Sequence, residues 1–163
     1  MKNLYRRLFG RLYWVKYSKK LSYKGEWKNG SFHGEGHLKY ANGNTFTGSF
    51  KSGTKNGFGH YKTSNGFEYI GDWLNGYQTG FGAICYKNGD LYEGDVQNGL
   101  RHGEGRFFQA SDCVWYKGAW IQSILYGHVE ISCSEWIFEG QLPEKDVISL
   151  GKLIYPDGSK YEG

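Results

Sequence analysis

Four sets of residues have the types that binding or catalysis needs. Gly48 and Gly53, five apart and followed by Thr54-Lys55, approach a phosphate-cradling loop. Such a loop needs Lys and then Ser or Thr after its last glycine, at the start of a helix. Here that order is reversed, and the same spacing recurs at Gly25/Gly30, Gly71/Gly76 and Gly94/Gly99, so it belongs to a repeat and not to a nucleotide site. His33 and His37 are four apart, as on a metal-binding helix, but a strand-and-turn register does not converge them on one ion. They read as surface histidines at a turn, and no metal or cofactor is expected. Glu35 and Glu104, and likewise Glu26, Asp72 and Asp95, recur at fixed positions and read as a solvated polar face rather than an acid/base pair. Cys85, Cys113 and Cys133 are odd in number and lack a C-x-x-C. They imply neither a disulfide framework nor a thiol site, and place the chain in a reducing, cytoplasmic setting. No leader is legible, because arginines interrupt the first apolar residues. With no nucleophile–base pattern either, the expectation is a protein that is not an enzyme.

Charge is uneven. The first 20 residues carry seven Lys and Arg and no acid, whereas the remainder is mildly acidic. Leu4, Tyr5, Leu8, Phe9 and Leu12 would share one helical face, with Arg6, Arg7 and Arg11 opposite. Two readings stand. With a helix over 2–9 and a capping strand and turn over 10–22, Lys2, Arg6, Arg7 and Arg11 either bind an anionic lipid or another acidic partner, or belong to a solvated capping segment with no lipid role. No nucleic-acid partner is expected. No run of 18 apolar residues occurs.

The elements that must position these residues follow from one period. An aromatic followed two residues later by glycine recurs at Tyr23, Phe46, Tyr69, Tyr92, Tyr116, Phe138 and Tyr161. Counting from that aromatic as zero, glycines fall at offsets 2, 7, 11, 13 and 20, and only Gly10 lies outside the scheme. Offsets 6–7 (Asn29-Gly30, Asn75-Gly76, Asn98-Gly99) and 19–20 (Asn42-Gly43, Asn65-Gly66, Asn88-Gly89, Asp157-Gly158) are read as type I′ turns. Between turns the residues alternate with a period of two. Aromatics and glycines take one face and mostly polar residues the other. A lone hairpin is unstable, so the units must stack. Helix is disfavoured by the 26 glycines, and disorder by an aromatic content of 18%. The expectation is an all-β, single-sheet solenoid of antiparallel hairpins, with 1–22 as a basic cap and 23–163 as the array. The array is a rod of roughly 55–60 Å at about 4.8 Å per strand. Most of the rings must be core, but a curved sheet leaves part of its apolar face open. Trp27, Phe50 and Trp73 at offset 4, with Tyr40 and Tyr86 at offset 17, are the candidate partner-binding groove.

Tyr23-Lys24-Gly25-Glu26-Trp27-Lys28-Asn29-Gly30, followed by His33-Gly34-Glu35-Gly36, resembles the MORN repeat, over residues 23–163. The resemblance implies an elongated, twisted sheet with an aromatic groove and no shared catalysis. It also implies binding at membranes or on cytoskeletal and ciliary structures, as in junctophilins and radial-spoke head proteins. This chain departs from the pattern at Val96, Ser123, Val129, Leu142 and Ser149. The function expected is a non-catalytic scaffold holding a protein partner. The alternatives are a tether to phosphoinositide or phosphatidylserine membranes and a regulatory region of a larger enzyme. The seventh repeat stops at Tyr161-Glu162-Gly163, and self-association through 138–163 is expected from that edge.

Overall fold

The structure, a computed structural model, describes residues 13–18, 21–142 and 151–163. The expected helix over 2–9, and Lys2, Arg6, Arg7 and Arg11, lie outside the described residues, as does Ser149. The described residues form one open sheet of fourteen strands in sequence order, every neighbouring pair antiparallel, with no helix among them. The strands are β1 (Tyr13–Ser18), β2 (Leu21–Lys28), β3 (Ser31–Tyr40), β4 (Thr45–Lys51), β5 (Thr54–Lys62), β6 (Glu68–Leu74) and β7 (Tyr77–Cys85). They continue as β8 (Leu91–Gln97), β9 (Leu100–Gln109), β10 (Val114–Ile121), β11 (Ile124–Ser132), β12 (Ile137–Leu142), β13 (Gly151–Ile154) and β14 (Lys160–Glu162).

The two turns of each repeat are different objects. At offsets 6–7 both residues have positive φ, as in Asn75 (51°) and Gly76 (89°), which suits a type I′ connection. The glycine N–H of this turn also donates to the offset-9 carbonyl of the preceding repeat. Gly53, Gly76 and Gly99 reach Phe32, Lys55 and Gln78 at 2.9–3.1 Å. At offsets 19–20 the expectation of a second type I′ turn is corrected. Only the glycine is left-handed, as Gly43 (85°) is. Its N–H closes on the Tyr40 carbonyl at 3.1 Å, and the Tyr40 N–H donates to the Asn44 carbonyl at 2.9 Å. That is a three-residue loop ending in a glycine bulge. Asparagine precedes the glycine because its side-chain oxygen accepts the N–H two residues on, as Asn42 Oδ1 does from Asn44 at 3.1 Å.

A third irregularity was not legible in the repeat. The ladder shifts after the offset-2 glycine, between Gly71 and Trp73 for example, so that Asp72 faces an extra turn of chain on β7. The offset-11 glycine, Gly80 here (φ 63°), supplies the left-handed residue of this bulge. The offset-3 acids cap it. Asp72 Oδ2 accepts the Phe81 N–H at 3.3 Å, Asp95 Oδ2 the Glu104 N–H at 3.1 Å, and Glu26 Oε1 the Glu35 N–H at 3.1 Å. These carboxylates are exposed, as a polar face requires, but they also hold backbone.

The bulge carbonyls anchor the core. Tyr69 Oη reaches the carbonyls of Asp72 (2.9 Å) and Thr79 (3.2 Å), and Tyr23 and Tyr92 do the same in their repeats. To get there the ring lies beneath the cross-strand pair Gly71–Gly82, where a Cβ on either would sit 2.7 Å from it. Tyr23, Phe46, Tyr69 and Tyr92 are fully buried in this way. Repeat five departs. Val129 replaces the offset-13 glycine and is itself buried, while Tyr116 is only half-buried.

Candidate functional site

Beside the buried rings, the same face of the sheet carries a wide aromatic surface. Trp27 and Phe50 are joined through Phe32, at ring separations of 5.0 and 5.7 Å. Tyr40 and Trp73 are joined through Tyr61, at 6.4 and 6.0 Å. Tyr86 sits apart from these, between Phe67 and Phe107 at 6.1 and 6.2 Å. Most contacts are edge-to-face, the arrangement that the ring quadrupole favours. The five expected groove residues do not share one environment. Phe50 and Trp73 are 4% and 5% exposed and belong to the core. Trp27, Tyr40 and Tyr86 are half-buried and line the open side.

Offset 9, which the alternation alone did not single out, pairs directly across from offset 4, as Phe50↔Lys55 and Val96↔Arg101. Along the sheet this row reads Phe32, Lys55, Gln78, Arg101, Leu125. Lys55 Nζ stands 4.2 Å from the Trp73 ring centre, 4.4 Å from Tyr61, 5.0 Å from Phe46 and 5.7 Å from Tyr40. Burial pushes its ammonium down to about 8. The Arg101 guanidinium lies 4.3 Å from Phe107 and 4.5 Å from Trp120. It donates to the Ser123 carbonyl at 2.9 Å, while its Nε is buried with no hydrogen-bond partner among the described residues. Neither cation has a carboxylate within ion-pair distance among the described residues. Burial also raises the phenols of Tyr40 and Tyr86. The signal that could have found this row is two cations at one offset, two repeats apart.

The residues of the near-P-loop lie in a hairpin turn with Lys55 drawn into the rings, so nothing there resembles a phosphate cradle. His37 Nδ1 lies 2.8 Å from Thr47 Oγ1, and no metal-ligating cluster exists among the described residues. The opposite face is less polar than its alternation implied. Phe58, Leu74, Tyr77, Phe81 and Ile124 expose 55–69% of their surface there.

The MORN-repeat family model matches residues 23–45, 46–67, 69–91 and 92–114, more than half of the chain. This chain belongs to the MORN-repeat family. No curated protein matches it. The four matched repeats keep the tyrosine- or phenylalanine-beneath-glycine arrangement, and so does repeat six, where Phe138 lies beneath Gly140 and Gly151; repeats five and six continue the same sheet beyond the match. MORN repeats are generally binding repeats for proteins or lipids, and the family is typically non-catalytic.

Proposed function

We propose that the chain is a non-catalytic scaffold that holds a segment of a partner protein along its aromatic face, in a cytoplasmic assembly of cytoskeletal, ciliary or membrane-associated kind. One observation supports it above the rest. Trp27, Tyr40 and Tyr86 stay half-open, beside the half-buried Phe32, Tyr61, Phe67 and Phe107, on the face whose core rings Tyr23, Phe46, Tyr69 and Tyr92 are fully buried. Flat rings with few rotamers to lose are the usual anchors of interfaces, where truncation costs about 2 kcal/mol or more. The test is a pull-down with Trp27→Ala and Tyr40→Ala beside melting curves. The expected result is a variant that melts near the parent yet loses the partner. Loss of binding only in variants that unfold would reject the reading. The tether alternative rests on the N-terminal cations and is tested by binding to phosphatidylserine vesicles at low salt. Self-association through 138–163 is a further proposal, checked by light scattering over a concentration series.

A further inference from the structure

We infer that the aromatic groove takes an acidic segment, read by Lys55 and Arg101 as two separate carboxylate positions with apolar contacts outside them; this rests on the groove reading above. Both cations are drawn down among rings on the open face, and neither has an acid partner among the described residues. A cation desolvated without a counterion is unfavourable, and an incoming carboxylate would supply one. The row also has a pattern: apolar Phe32, cationic Lys55, polar Gln78, cationic Arg101, apolar Leu125. Its complement is a ligand that is apolar, acidic, polar, acidic, apolar in order.

The spacing fixes the ligand further. Lys55 is on β5 and Arg101 on β9, four strands apart, or about 19 Å along the sheet. An extended segment covers that in about six residues, an even number that keeps both acids on one side. A helix covers it in about 11–14 residues, the separations that return to one face. Single cations so far apart suit a linear chain better than a lipid headgroup, whose phosphates would call for cations clustered at one spot.

The experiment is selection of a displayed random peptide library on the intact chain, in parallel with Lys55→Gln and Arg101→Gln. The expected result is peptides with two acids at one of these spacings, competing with one another for the parent. Each Gln variant should weaken them at least tenfold. Replacing the facing acid by its amide should weaken binding to the parent but not further weaken binding to the matching variant. Melting curves on both variants separate this from unfolding. Peptides that Trp27→Ala or Tyr40→Ala abolishes, but that carry no acidic preference, would overturn the charge inference and leave the groove reading standing. Peptides sensitive instead to Phe81→Ser on the opposite face, or none at all, would overturn both. Loss of phosphatidylinositol-bisphosphate vesicle binding in the Gln variants, without acid-bearing peptides, would mean a lipid ligand and would also overturn it.

Discussion

Lys55 sits opposite Phe50, at an offset where the first repeat has Phe32 and the fifth has Leu125. Two physical effects compete there. The rings favour its charge, while the loss of water disfavours it, and the drop from 10.5 to about 8 means that desolvation wins. Between those values the unfolded chain holds a proton that the folded chain has released, so stability rises with pH across the window. Above about 10 the sign reverses. Tyr23 and Tyr92, pushed up to about 12 by burial, keep protons that the unfolded chain loses. Lys55→Met should therefore stabilise the protein at pH 7, by about 1 kcal/mol once screening of the partly exposed ammonium is allowed for. Its advantage should shrink by pH 9.5 in denaturant melts. The glycines beneath which the rings lie give a second residue-scale test. Gly82→Ala puts a methyl 2.7 Å from the fully buried Tyr69 ring, which has no room to retreat, and should cost about 2–3 kcal/mol. Gly76→Ala meets nothing within 4 Å and pays only for its left-handed φ, about 1 kcal/mol. Thermal melts of the two variants check the order.

At the scale of the hairpin, the repeat made the strands and their facing legible but not the turns. The same Asn-Gly pair serves two purposes. Asn75 must itself be left-handed, whereas Asn42 keeps an ordinary backbone and contributes its side-chain oxygen. A dipeptide cannot distinguish these roles; the number of residues between strands can, two from Leu74 to Tyr77 and four from Tyr40 to Thr45. The bulge was hidden for a similar reason. Period-two alternation treats every residue as a ladder step, and Asp72 looked like any solvated acid until its oxygen met the Phe81 N–H. The groove was legible only in outline. Burial depends on which neighbouring ring covers a position, so Phe50 and Trp73 closed over while Trp27 stayed half-open, although all three share one offset. Two expectations follow. Asn75→Ala should cost about 1–2 kcal/mol, because alanine resists positive φ, and Asn42→Ala less than 1, because it loses one exposed hydrogen bond. Denaturant midpoints at a common m-value would show this order; equal losses would mean that the two turns share one geometry.

At the scale of the molecule, each strand pairs only with its neighbours in sequence, so stability is close to a sum of repeat and interface terms. The repeats are nonetheless stitched beyond the ladder. The turn N–H of one repeat donates to the offset-9 carbonyl of the repeat before it, and the last such link among the described residues joins Ser123 to Arg101 at 2.9 Å. The links attach at the row that carries Lys55 and Arg101, so each cation's backbone is held by the following hairpin. The place of a cut therefore matters more than its length. Removing residues 133–163 leaves β11 in place, with the Ser123 link and the Val129 packing over Gly118 intact. The shortened chain should keep a cooperative melt, show a lower m-value in proportion to the surface lost, and retain groove binding. Removing residues 116–163 takes away most of β10, including Trp120, whose indole N–H donates to the Gly105 carbonyl at 3.1 Å and whose ring flanks Arg101. It also removes the three hydrogen bonds between Ser123 and Arg101, two to the Arg101 backbone and one from its guanidinium. That chain should lose binding at the Arg101 position while Lys55, two repeats away, keeps its four rings. Amide exchange would check the local basis. Protection in β5–β7 should be unchanged in both chains, and protection in β8–β9 should fall only in the shorter one. Equal loss across the sheet would show that the array behaves as a single cooperative unit, in which the two cationic positions cannot be separated.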